Sequence, residues 1–351
     1  MLRSDHQAAY AADAPHNDPT PLELSQHARS RGRPAENISQ HADSTNELSQ
    51  KSRSPVDKTG VALLTSAVGK STFVYYSTEY GLVESQYKTG LSANASATPV
   101  KIANNAKPTS PIAAVGGPPG LSLYRTVFYF DNDNLLNFVN TTLNSDWSEP
   151  YIVFEDMIAE PNTRALSAIA GSCGNDALSG IRVYFGSSNG TIQEVGIYFG
   201  EAIGENLVGQ WYKWNTFSGT DPKSGVASVL YVWSYAENST KWDDGVDASE
   251  TDRVIEGGSI AATSVGEGPD FIFYHAADGT AVGALCPPGA SCLNFASRLK
   301  ALAQAPVGYS IAATGDGGTA LVVNQDELKA SNILFTSVTL GGASDGTILS
   351  T

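Results

Sequence analysis

From residue 60 onward, apolar residues come in short runs separated by glycine, asparagine, aspartate and serine, without sustained helical spacing. One kind of run is small and aliphatic: Val61-Ala62-Leu63, Ile112-Ala113-Ala114, Ile169-Ala170-Gly171, Ile260-Ala261-Ala262 and Ile311-Ala312-Ala313. A bulkier run follows each: Phe73-Val74-Tyr75-Tyr76, Val127-Phe128-Tyr129-Phe130, Arg182-Val183-Tyr184-Phe185, Phe271-Ile272-Phe273-Tyr274 and Ala320-Leu321-Val322-Val323, with a further one at Val229-Leu230-Tyr231-Val232. Such runs, rich in β-branched and aromatic residues, predict strands. Turn signals lie between them at Asp131-Asn132-Asp133-Asn134, Asn189-Gly190 and Asp278-Gly279, where hairpins favour residues that accept positive φ.

The small phrase recurs about every 50 residues, with one gap about twice as long, which places a diverged start near Trp211–Trp214. Six units of this size, each a small meander, predict an all-β fold, a six-bladed β-propeller. The alternative is a β-sandwich with fortuitous repetition. In a propeller the Ile-Ala-Ala phrases are the innermost strands, where converging sheets leave room only for small side chains. The β-rich segment from Asn332 to Leu349 is expected to share a sheet with the strand near Val61 and so close the ring.

Residues 1–55 break the pattern. They have few aromatics, repeat a polar phrase (Leu24-Ser25-Gln26-His27, Ile38-Ser39-Gln40-His41) and predict a disordered polar tail, leaving 56–351 for the propeller. The tail holds four of the five histidines, at spacings that match no compact metal site, and no metal is expected. Over the whole chain 21 Lys and Arg stand against 36 Asp and Glu, a net charge of −15, and most of it comes from the remainder. That balance excludes a nucleic-acid groove, which needs a positive footprint. No apolar run is long enough to span a bilayer, and no apolar signal core is present at the start. Five N-x-S/T sequons, and Cys286 and Cys292 around a Pro-Pro-Gly turn, nevertheless suit an oxidising compartment. The expected location is the secretory pathway, with the cytosol as the alternative.

Three motifs imitate chemistry. Gly186-Ser187-Ser188-Asn189-Gly190 has the spacing of a hydrolase nucleophile elbow but sits at a hairpin tip rather than before a helix. Gly69-Lys70-Ser71 lacks the earlier glycine of a phosphate loop, and Asp131-Asn132-Asp133 lacks the glycine and terminal glutamate of a calcium loop.

The third unit carries a real signal. It reads Gly180-Ile181-Arg182-Val183-Tyr184-Phe185 and Asn189-Gly190-Thr191-Ile192-Gln193-Glu194, with Trp211 and Trp214 beyond. This resembles a blade of the fungal fucose-specific lectins, six-bladed propellers that hold sugar between blades. The resemblance implies that Arg182 and Glu194 grip fucose hydroxyls, with Trp211 or Trp214 as walls. A guanidinium and a carboxylate make charge-assisted hydrogen bonds to hydroxyls. Elsewhere the pattern departs. At the position of Arg182 the other units have Phe73, Val127, Val229, Phe271 and Ala320. At the position of Glu194 stand Glu84, Phe138 and Gly283 in the first, second and fifth. One complete polar clamp is expected.

Apolar replacement of the clamps suggests clefts for a hydrophobic small molecule, lined by Phe73, Phe271, Trp211, Trp214 and Trp233. His275, directly after an apolar strand, reads as a packed strand-end side chain and joins these as a ligand-site candidate. The chain is also similar at fold level to the fungal intermolecular hetero-Diels–Alderases of tropolone–sesquiterpenoid pathways. That resemblance implies a cofactor-free pericyclase joining a tropolone o-quinone methide to an olefin such as humulene. Arg182, Tyr184 or an indole would donate hydrogen bonds to the dienone oxygen, and Glu194 would assist loss of water. The competing reading is a secreted lectin taking a fucosylated glycan in the third unit.

Overall fold

The computed structural model describes residues 54–66, 71–88, 98–117, 124–141, 146–171, 180–198, 210–218, 221–228, 258–264, 270–275, 281–286, 293–294, 309–316, 319–325, 332–339 and 342–349. The expected tail, up to residue 53, lies outside them, as do Trp233, the Val229–Val232 run, Asp278-Gly279 and Cys292. Among the described residues the chain forms five four-stranded antiparallel sheets, each from one continuous stretch. The first holds β1 (Val61–Ser66), β2 (Ser71–Thr78), β3 (Gly81–Lys88) and β4 (Val100–Ala103). The second holds β5 (Ile112–Gly116), β6 (Arg125–Phe130), β7 (Leu136–Thr141) and β8 (Tyr151–Ile152). The third holds β9 (Leu166–Gly171), β10 (Gly180–Ser187), β11 (Thr191–Tyr198) and β12 (Tyr212–Phe217). The fifth unit supplies β13 (Ile260–Ser264), β14 (Asp270–His275), β15 (Ala281–Cys286) and β16 (Leu293–Asn294). The sixth supplies β17 (Ile311–Asp316), β18 (Thr319–Gln325), β19 (Ile333–Thr339) and β20 (Gly342–Leu349). No helix long and apolar enough to cross a membrane occurs among the described residues.

The bulky runs form second strands because both their faces are covered. All eight positions of β2 are buried. Its Phe73 and Tyr75 pack with Val127 and Tyr129 of the second sheet, while Val74 and Tyr76 pack with Leu321 and Val323 of the sixth. In the second sheet Phe128 and Phe130 turn the other way, onto Ile181, Val183 and Phe185 of the third. The period of two thus sends alternate residues into successive apolar layers. Each large side chain so buried contributes about 2–3 kcal/mol.

First strands are innermost: β1 packs on β5 and β17, β5 on β9, and β13 on β17. Ala62, Ala113, Ala261 and Ala312 are buried where these strands converge. The arrangement is an all-β propeller, with five blades among the described residues. Turn chemistry agrees with the sequence at the Asp131 turn, where the carboxylate accepts the N–H groups of Asp133 and Leu135 at 3.0 and 2.9 Å and Asn134 takes φ 60°. Gly190, at φ 84°, closes the tip between β10 and β11. Hydroxyls just before the first strands also hold the meanders: Thr59 Oγ1 accepts the Ser77 N–H at 2.8 Å, and Ser110 Oγ that of Phe130 at 2.7 Å.

Two expectations are corrected. Trp211–Trp214 does not begin a unit, because Tyr212–Phe217 is the outermost strand of the third sheet, paired with β11. The C-terminal segment does not complete the first sheet either. Strands β19 and β20 pair with each other beside β18, whereas β1 is an edge of its own sheet. Ring closure comes from β1 packing on β17.

Candidate functional site

The third unit gathers four of the predicted residues. Arg182 and Tyr184 share one face of β10, the face opposite the one that Ile181, Val183 and Phe185 turn towards the second sheet. Tyr184 lies in register with Glu194 on β11. The Arg182 Nη1 donates to Glu194 Oε1 at 2.7 Å, Tyr184 OH donates to the same oxygen at 3.3 Å, and Asn215 Nδ2 of β12 donates to Oε2 at 2.6 Å. The Glu194 side chain is 1% exposed, so these donors take the place of its water; Arg182 is 30% exposed and carries the polar face outwards. A carboxylate offers about four lone-pair sites, so three donors leave room for about one more. Burial pushes the Tyr184 phenol well above its ordinary pKa and the Glu194 charge adds to the rise, which keeps it a donor.

Aromatic rings frame this clamp. The Arg182 guanidinium lies 4.4 Å from the centroid of Trp214, and Phe217 lies 6.2 Å from Tyr184. Trp214 also stacks on Tyr212 and leans on Tyr198. Its position depends on Gly196, the residue paired with Arg182 across the strands: a Cβ there would overlap the Trp214 ring and meet the Ile181 carbonyl at 2.7 Å. Sequence reasoning singled out neither Gly196 nor Asn215.

A second arginine–carboxylate couple overturns the expectation of a single clamp. Glu84 on β3 receives Arg125 from β6 of the next unit, Nε donating to Oε2 at 2.8 Å and Nη2 to Oε1 at 3.1 Å. Tyr75 OH donates to Oε2 at 2.9 Å, in the same register relation as Tyr184 to Glu194. Where the third unit has Arg182, the first has Phe73, and the Arg125 guanidinium covers that ring at 4.2 Å, with Trp147 at 5.5 Å. The couple bridges two sheets, whereas Arg182 and Glu194 belong to one. It is also more enclosed, at 12% and 8% exposure. The register places Thr126, not Val127, at the position equivalent to Arg182, because Phe128 is the residue opposite Phe138. Arg125 escaped notice because it stands on the other face of β6.

The remaining candidates lie elsewhere. Trp211 packs against Phe128 and Phe138 at 5.9 and 5.5 Å, between the second and third sheets, with Tyr151 stacked on Phe138 at 5.4 Å. Aromatics fill that wedge. Phe73 and Phe271 are buried, the latter stacked on Phe273. His275 is fully buried, and its Nδ1 accepts the Ser259 N–H at 3.0 Å, joining the fifth sheet to the turn before it.

With both couples placed, the scaffold can be compared with known proteins. No family model and no curated protein matches the sequence. Solved structures do match, lectins among them. The BP39L lectin from Burkholderia pseudomallei is 16% identical with a TM-score of 0.56, over 82% of this chain and 83% of that one. The SapL1 lectin, solved with α-methyl fucoside, is 18% identical at 0.49, over 85% and 98%. The fucose-specific lectin from Aleuria aurantia is 21% identical at 0.45, over 85% and 81%. The likeness is one of fold.

Proposed function

We propose that the third unit binds a fucose-type sugar, making the protein a carbohydrate-binding lectin. The observation that carries this is the Arg182–Glu194 couple set between Trp214 and Tyr184–Phe217. A deoxy sugar has hydroxyls that suit a charged couple and an apolar face that suits a ring. The lectin-type scaffold agrees with this use. The cycloaddition reading needs an apolar cleft with room for two reactants, yet Phe73, Phe128, Phe138 and Phe271 are buried against their neighbours. Carbohydrate binding is therefore the reading that the geometry favours.

The test is titration of α-methyl fucoside by calorimetry, with retention on fucose–agarose. Binding is expected with about one site, and Arg182→Ala is expected to weaken it at least about tenfold through loss of charge-assisted bonds. Binding that survives Arg182→Ala undiminished, or no binding by the native chain, refutes the proposal. Turnover of an o-quinone methide with humulene would return the pericyclase reading to first place.

A further inference from the structure

The turns that lead into the innermost strands meet at one end of the ring. Lys58 and Thr59 precede β1, Thr109 and Ser110 precede β5, and Arg164 precedes β9. Arg164 belongs to the third unit, yet its Nη1 donates to the carbonyl of Thr109 in the second at 3.4 Å and of Lys58 in the first at 3.2 Å. Its backbone N–H donates to the Lys223 carbonyl, beyond the third sheet, at 2.9 Å. A side chain that passes one unit to touch the next does so only where the inner ends converge. Arg164 therefore sits at the axial mouth, between the backbones of Lys58 and Lys223.

Three cations against Asp57 and Asp221 leave this cluster with one net positive charge, in a chain of net charge −15. Among the described residues Arg164, Lys58 and Lys223 make no ion pair. Two acids share these turns: Asp57 accepts Tyr309 OH at 2.8 Å, and Asp221 accepts the Lys223 N–H and the Ser224 hydroxyl at 3.0 and 2.6 Å and is also attracted by the Lys223 charge. The two carbonyl bonds to Arg164 are long, so its guanidinium is incompletely satisfied, and Nε and Nη2 have no partner among the described residues. Burial holds its pKa below the ordinary value, with no acid opposing that shift. Lys58 also adopts a left-handed backbone, φ 57°, where the third unit places Asn162, a residue that accepts it more readily. Such strain collects at binding sites.

We propose that this mouth is a binding site for a sulfate- or phosphate-class oxyanion, held by the Arg164 fork and the Lys58 and Lys223 ammonium groups. A guanidinium with a vacant edge recognises two oxygens of such an anion, and the lysines add point charges. The site is separate from the Arg182 wedge and does not rest on the lectin reading. The anion would be either a free ion or an ester on a sugar.

Thermal unfolding is followed with sodium sulfate and sodium phosphate against sodium chloride at equal ionic strength, and calorimetry compares inorganic sulfate with glucose 6-sulfate. A saturable rise in midpoint beyond that in chloride is expected, because a ligand that binds only the folded state stabilises it. Lys58→Gln/Lys223→Gln is expected to weaken sulfate binding at least about tenfold, and Arg164→Gln to abolish it. Preference for glucose 6-sulfate over the free ion identifies an ester as the source; the reverse identifies the ion. Equal stabilisation by sulfate and chloride, or sulfate binding unchanged in the lysine variant, overturns the proposal. The lysine variant carries the test if Arg164→Gln does not fold, and α-methyl fucoside titration of that variant reports separately on the wedge.

Discussion

Arg125→Met tests whether the cross-sheet couple holds the first and second units together. In the native chain Glu84 receives two bonds from the guanidinium and one from Tyr75, at 8% exposure. Removing Arg125 leaves an enclosed carboxylate with only the phenol. Breaking one side of a buried pair costs about 3–5 kcal/mol, and the 12% exposure of Arg125 puts this case near the lower end, about 3 kcal/mol. Glu84→Gln keeps the shape and the Tyr75 bond, so about 1–2 kcal/mol is expected. In the double variant no charge is stranded and the Met side chain still covers Phe73; the chief loss is the ring–cation contact, about 1 kcal/mol. The coupling energy is then about 3–4 kcal/mol in magnitude, read from urea midpoints at constant slope. A coupling below about 0.5 kcal/mol would show that the two residues act independently and would refute the bridging role.

Gly196→Ala should separate the tryptophan from the arginine. The new methyl overlaps Trp214 and the fixed Ile181 carbonyl, so stability should fall by about 1–3 kcal/mol and fucoside binding should weaken; unchanged Trp fluorescence and affinity would sink the argument. Alkaline pH should also destabilise the fold. Burial first, then the Glu84 and Glu194 charges, raises the phenol pKa of Tyr75 and Tyr184 in the folded state. Their contribution is therefore fully present below the unfolded value, about pH 10, and is lost as pH climbs towards the folded values. Unfolding midpoints taken between about pH 8 and 12 should decline, and less steeply in Tyr184→Phe.

Repetition made the architecture legible, because each second strand is buried on both faces and so keeps a continuous apolar run. Phe73–Tyr76 falls inside β2 and Val127–Phe130 inside β6. Register was harder to read. The third first strand begins at Leu166, ahead of the Ile169-Ala170-Gly171 phrase, and the Trp211–Trp214 segment lies on an outer strand with no small residues to mark its place. At the site, Arg182 and Glu194 were found because the third unit resembles a lectin blade, and Tyr184 lies beside Arg182 on the same face of the hairpin, opposite Glu194. Arg125 was not, because its partner belongs to another unit about 40 residues away, and loop length carries no sign of such a meeting. Gly196 leaves even less trace, since its role is an absent side chain.

The junction between the sixth and first sheets has a mechanical consequence. No strand is exchanged there among the described residues; apolar contact, the Tyr309–Asp57 bond and the Gln325 amide on the Val56 carbonyl span it. A bracelet closed in this way has no special fastening at its clasp. Force or solvent that prises it apart meets resistance from side chains rather than from a ladder of amides, and each sheet can survive the parting whole.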